Sequence, residues 1–201
     1  PLGYELYVHP EQAPRLWNAI LEEGKPLGLK PAGLGARDST RTEAGFPLYG
    51  HELAGRHNIT PAEVGYGAFV KLHKPFFIGR KPYVERMNTR KMEIVRFSMD
   101  ARGPMIRPDD PVVSETGQHI GFVTSCVMAG GVKVGLAYVN RAFAKEGVKL
   151  GIFPLPRTGR APAEKPKTAL SLGDKTLLHQ EALVLPRFRP AEVTAPVAGQ
   201  A

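Results

Sequence analysis

Residues 91–153 read KMEIVRFSMDARGPMIRPDDPVVSETGQHIGFVTSCVMAGGVKVGLAYVNRAFAKEGVKLGIF. Five short runs rich in β-branched and aromatic residues stand out: KMEIVRFSM (91–99), DPVVS (110–114), HIGFVTSCV (119–127), KVGLAYV (133–139) and GVKLGIF (147–153). Turn-forming segments such as SETGQ (114–118) and AGG (129–131) lie between them. Runs of this kind at intervals of about 8 to 15 residues predict a small antiparallel barrel or sandwich. Beyond Pro154 the segment PLPRTGRAPAEKPK (154–167) holds too much proline and charge for a core element and reads as an exposed loop. ALVLPRF (182–188) can return as a last strand, and residues 191–201 read as a frayed tail.

Upstream of this stretch the texture is mixed. LGYELYV (2–8) has the Tyr, Leu and Val of a strand, with Tyr4 and Leu6 on one face and Glu5 on the other. Ala13, Leu16, Trp17, Ile20 and Leu21 then fall at i, i+3, i+4, i+7 and i+8, which predicts a helix with one buried stripe, stopped by Gly24 and packed on a sheet that includes the first strand. A second helix is expected from about Ala36 to Ala44, closed by Gly45; Arg37 and Arg41 share one of its faces, with Asp38 and Glu43 as charge partners nearby. Thr60-Pro61-Ala62-Glu63 is a capping box that starts a helical turn. IGRKPYVERMN (78–88) reads as a helix connecting two domains whose boundary lies near residues 66–78. The expected fold is therefore α+β: an α/β region over residues 1–66, a small antiparallel β-barrel over 67–190, and the tail 191–201.

The chain has 201 residues and 42% hydrophobic content, which requires a packed core. No run reaches the roughly 18 to 20 consecutive apolar residues of a membrane span, and PLGYELYVHP lacks the pattern of a signal peptide, so no membrane association is expected. One cysteine, Cys126, excludes an internal disulfide and a Cys-based zinc site. It is consistent with a reducing compartment: the cytoplasm, or the mitochondrion in a eukaryote. The formal charge of +8 is spread among acids, as in RKPYVERMNTRKMEIVR, without a nucleic-acid-binding motif, so a polyanionic small molecule fits it and nucleic acid is not expected.

His51 and His57 are six apart, a spacing that matches no common zinc helix, and no metal is expected. Cys126 sits in the apolar run FVTSCV and reads as a packing residue. There is no G-x-S-x-G elbow, no Walker A sequence and no G-x-G-x-x-G between strand and helix. What remains is Glu5 and Arg37. A strand carboxylate accepts two N–H donors from a flat amino-bearing heterocycle, and a guanidinium clamps a carboxylate or carbonyl at the ligand's other end, as a pterin with a glutamate tail would require. The alternative is structural, with Arg37 paired to Asp38 or Glu43 and Glu5 facing water.

The run GLGARDSTRTEAGFPLYGHEL (33–53) closely resembles the signature of the glycine-cleavage T-protein (aminomethyltransferase) family. GYELYV, LWNAIL, TPAEVGYGAFV, FIGRK and GQHIGFVTSCV follow the family's order, so the resemblance covers about residues 3–153. It implies a folate-binding region followed by a C-terminal barrel. It implies further that Glu5 contacts the pterin ring of tetrahydrofolate, and that Arg37 binds further along the folate or at the substrate end. The expected activity is tetrahydrofolate-dependent one-carbon transfer from a small donor, with a lipoyl carrier protein as partner. The family's aspartate that activates the folate nitrogen belongs to a part preceding GYELYV, so no residue here is given a catalytic role, and the chain is expected to be inactive by itself. Three departures bear on the donor. Thr40 and Thr42 replace apolar residues, which predicts a less buried helix; Thr124-Ser125-Cys126 and VMAGGVKV differ from the family's pattern; and the tail after Pro154 is unlike it. A demethylase acting on a methylamine, methylsulfonium or methoxyaryl donor, or a non-catalytic folate-binding module, are the alternative readings.

Overall fold

A computed structural model describes residues 3–155, 171, 173 and 180–189. Its contacts divide the chain into two compact units, Pro1–Arg37 and Asp38–Ala201. The expected 154–167 loop beyond Leu155 and the tail 191–201 fall outside the described residues.

In the first unit, α1 (Ala13–Gly24) forms where the apolar spacing places it, and Gly28, with φ of 79°, turns the chain after a short 3-10 segment. The strand expected over residues 2–8 does not form. Residues 3–9 are extended and exposed, because no strand among the described residues offers them a hydrogen-bonded ladder. Among the described residues of this unit no sheet receives α1, and Trp17 and Ile20 of the apolar stripe are exposed.

Helix α2 (Leu34–Ala44) begins two residues earlier than the sequence implies and ends at Gly45, whose φ of 87° only glycine adopts without strain. A Cβ at Gly45 would also meet the Arg187 carbonyl. The less buried helix expected from Thr40 and Thr42 holds for Thr40, which is exposed, but not for Thr42, which is fully buried. Thr42 sits beside buried Arg41 in the helix's last turns, where packing within the second unit, not side-chain polarity, sets the burial. The capping box forms its return half: the Glu63 carboxylate accepts from the Thr60 backbone N–H and from its hydroxyl, both at 2.8 Å. The Thr60 carbonyl accepts from the N–H groups of Glu63 and Val64, so the segment makes a helical turn and no longer helix. The helix expected over residues 78–88 forms as α3 (Arg80–Thr89), inside the second unit.

The β-runs become β1 (Met92–Asp100), β2 (Pro111–Ser114), β3 (His119–Ala129), β4 (Val132–Asn140), β5 (Lys149–Ile152) and β6 (Gln180–Leu185). They close an antiparallel barrel in the order β1-β4-β3-β2-β5-β6, with β6 pairing back onto β1. Inside it pack Val95, Phe97, Val112, Val123, Val139 and Ile152. Ile59 and Val64 pack with Ile94, Leu136 and Tyr138 of β1 and β4 in a second cluster, so the segment before α3 covers part of the barrel wall. The β3–β4 register shifts between Val123 and Ser125, leaving Thr124 as an extra residue whose hydroxyl donates to the Leu136 carbonyl at 3.1 Å. Such a bulge reverses the alternation beyond it. Val123 and Cys126 therefore both pack in the barrel core, and Ser125 is turned outward.

Candidate functional site

Ser125 enters a buried polar network in the second unit. Arg41 of α2 donates through Nη1 to Glu52 Oε2 at 2.6 Å and through Nη2 to Ser125 Oγ at 2.8 Å, and Ser125 Oγ donates to Glu52 Oε1 at 2.5 Å. Arg41 Nε reaches Asp38 at 2.7 Å, and the Leu48 N–H adds a bond to Glu52 at 3.1 Å. A fully buried carboxylate is tolerable only when its lone pairs are occupied this completely. Arg41 thus pairs with Asp38, and Glu43 with Arg189.

Glu63 holds a second network. Its carboxylate accepts from Tyr138 Oη at 2.5 Å and from both Nε and Nη2 of Arg86, besides the two bonds from Thr60. Burial by itself would raise the Glu63 pKa, but the bonds from Tyr138, Thr60 and Arg86 outweigh it and hold the carboxyl below its ordinary 4.5. The same burial, with the bond to Glu63, pushes Tyr138 up to about 12. A depressed carboxylate contributes stability that is present above its unfolded pKa and lost as pH falls through the folded one. The stability gap between the wild-type chain and Glu63→Gln is therefore expected to be largest near neutrality and to shrink below about pH 4.5. Urea denaturation at several pH values reads it, and a gap of constant size would contradict the assignment.

The second unit also carries an open cleft of about 220 Å³, lined by His51, Arg56, His57, Asp109, Phe122 and Thr124. Arg56 ion-pairs with Asp109 and donates from Nε to His57 Nε2 at 2.8 Å. The His57 ring lies 4.1 Å from that of Phe122, and burial, reinforced by the neighbouring Arg56 charge, lowers its pKa. His57 Nε2 is placed as the acceptor of the Arg56 N–H.

The two site residues expected from sequence both belong to the first unit. Glu5 lies exposed in the extended segment, where it accepts a hydrogen bond from Tyr7 Oη at 2.9 Å. Arg37 occupies the first turn of α2 and is also exposed.

Two family profiles match in succession: "GCVT N-terminal domain" over residues 1–74 and "Glycine cleavage T-protein C-terminal barrel domain" over residues 93–168. The chain belongs to the glycine-cleavage T-protein family. Curated T-protein relatives include the aminomethyltransferase of Alkaliphilus metalliredigens, 44% identical over 157 residues, which span 75% of this chain and 41% of the relative. That of Porphyromonas gingivalis is 38% identical over 169 residues, 82% of this chain and 46% of the relative. The chain thus spans less than half the length of these relatives. The crystal structure of glycine cleavage system aminomethyltransferase T from Bartonella henselae superposes with a TM-score of 0.64 at 22% identity, over 88% of this chain and 43% of that one. At that identity the likeness is one of fold.

In this T-protein family member, sequence reasoning missed the network of Arg41, Glu52 and Ser125. From sequence Arg41 shares a helix face with Arg37 and has Asp38 and Glu43 nearby, and Glu52 carries no local motif. The usable signal was an acid inside a loop that ends in the apolar residues of the second cluster. Cys126, read as a packing residue, is half-buried against the barrel core, and burial pushes its thiol up to about 11, so it is protonated at neutral pH.

Proposed function

We propose that this family member serves tetrahydrofolate-dependent one-carbon transfer, with the aminomethyl group left by glycine decarboxylation on a lipoyl carrier protein as the donor. The observation that carries this reading is the uninterrupted run Gly33–Leu53 with Glu5 placed upstream, in a chain whose relatives bear the name aminomethyltransferase. In this reading residues 1–66 supply the folate-facing groups and residues 67–190 the barrel. Glu5 accepts hydrogen bonds from the amino-bearing edge of the pterin, which needs a carboxylate with free lone pairs. Arg37 binds an anionic or carbonyl group further along the ligand, where its planar fork gives two parallel bonds. The chain's positive charge suits a ligand with a polyglutamate tail. No residue of the 201 is assigned to the chemical step.

Replacing Arg37 by alanine in the longest gene product containing this chain is expected to weaken tetrahydrofolate binding by about 1 to 3 kcal/mol, since a charged ligand group loses its partner. Isothermal titration of reduced tetrahydrofolate reads it, and unchanged affinity removes Arg37 from the site. The same titration into the 201-residue chain separates an incomplete cavity, with binding only by the longer protein, from a self-sufficient folate-binding module. Binding by neither removes the folate reading.

A demethylase is the second reading, left open by the departure within Thr124-Ser125-Cys126, where Cys126 stands in place of the family's usual glycine. Methylamine, methylsulfonium and methoxyaryl donors, assayed against a lipoyl-carried aminomethyl group, discriminate the two.

A further inference from the structure

Between Glu63 and Glu85 the sequence contains no acid, while Lys71, Lys74, Arg80 and Lys81 contribute four positive charges. The centre of this stretch, Pro75-Phe76-Phe77-Ile78, is apolar, and the structure turns it outward: Phe76 is 78% exposed and Ile78 94%. Single exposed apolar residues are ordinary, but two large ones within three residues, ringed by cations, are a different arrangement. The loop is built to keep this form. Arg80 donates from Nε to the Lys74 carbonyl and from Nη2 to the Leu72 carbonyl, both at 3.2 Å, and its own N–H bonds to the Phe77 carbonyl at 3.1 Å. Arg80 thus staples the loop, while Lys71, Lys74 and Lys81 remain exposed around it. Residues Pro75–Pro82 line a concavity of about 440 Å³, which adjoins the amino-terminal end of α3, the positive end of that helix.

We infer that this stapled loop is a docking surface for an acidic segment of a partner protein, one that inserts an aliphatic or aromatic side chain into the concavity while its carboxylates face Lys74 and Lys81. Charge selects the partner's sign: a segment with three exposed lysines and no acid of its own attracts carboxylates and repels basic segments. Shape selects its class. A bilayer receives protruding apolar side chains from a convex face, whereas a concavity beside a helix end receives an inserted side chain. A preformed loop also loses little conformational freedom on binding. The inference rests on residues 69–82 alone and is independent of folate binding.

The probe is a fluorescein-labelled peptide in which a central Leu-Phe pair is flanked on each side by glutamates, titrated into the 201-residue chain by anisotropy. Binding is expected to weaken by on the order of tenfold in Phe76→Ser/Ile78→Ser and again in Lys74→Glu/Lys81→Glu, and to fall steeply with added salt. All four positions are exposed, so far-ultraviolet circular dichroism of both variants should match the wild type. Backbone amide shifts on titration should be confined to residues 69–84. Several results overturn the inference. The peptide fails to bind, or both variants bind it as the wild type does. A peptide with Ser-Ser in place of Leu-Phe binds equally well, leaving charge alone. Vesicles containing phosphatidylserine bind the loop while the peptide does not. Sedimentation shows self-association abolished by Phe76→Ser/Ile78→Ser, making a second copy the occupant.

Discussion

Glu52→Ala is expected to be among the most damaging single changes in the chain, lowering the stability of the second unit by about 3 kcal/mol. The carboxylate is fully buried and occupied by Arg41, Ser125 and the Leu48 N–H. Removing it leaves the Arg41 guanidinium, itself almost wholly buried, with only the half-exposed Asp38 as counter-charge. Stranding a buried ion costs more than removing the pair, so the double variant Arg41→Met/Glu52→Met is expected to recover much of the loss. Chemical denaturation of the single and double variants reads both, and a loss below about 1 kcal/mol for Glu52→Ala would mean that Asp38 and solvent suffice for Arg41.

Phe97→Ala is expected to cost about 3 to 5 kcal/mol, the range for emptying a buried aromatic site. Phe97 on β1 lies opposite Gly135 on β4, and a Cβ built on Gly135 would come within 2.4 Å of the Phe97 ring and 2.5 Å of the Ser125 carbonyl. The ring therefore fills the space that the missing side chain leaves, a cross-strand fit of aromatic and glycine. Gly135→Ala is destabilising by the same geometry. In the Phe97→Ala background its cost should drop without vanishing, because the Ser125 carbonyl stays in place. A double-mutant cycle by thermal or urea denaturation measures this coupling, and strict additivity would show that the barrel relaxes around the added methyl group.

The barrel was legible because its strands announce themselves locally: each β-branched run between turn segments became a strand, and ALVLPRF supplied the closing one. The strand expected at LGYELYV failed for the complementary reason. Alternation specifies which face a residue takes once a ladder exists, and it supplies no ladder. Thr42 shows the limit of reading polarity as exposure, since its place on α2 decides its burial. The Arg41 network was illegible in outline because Glu52 is 11 and Ser125 84 residues away from Arg41, and because a one-residue bulge at Thr124 decides which way Ser125 points. Neither Glu5 nor Arg37 carries a local pattern that distinguishes a ligand-facing residue from a solvated one, so the folate contacts proposed for them rest on the family's motif.

The strand order also fixes the schedule on which the barrel can be completed. β6 sits between β1 and β5, and pairs Arg96 with Leu185 at a separation of most of the barrel's sequence. On a ribosome, β1 to β5 emerge first and must wait, with the edges of β1 and β5 presenting unpaired N–H and C=O groups, until residues 180–185 leave the exit tunnel. Closure is a high-contact-order event that waits for β6, so the nascent chain passes through a window in which its sheet is open to pairing with another copy. Translation speed through the segment joining β5 to β6 thereby becomes a determinant of the yield of folded protein.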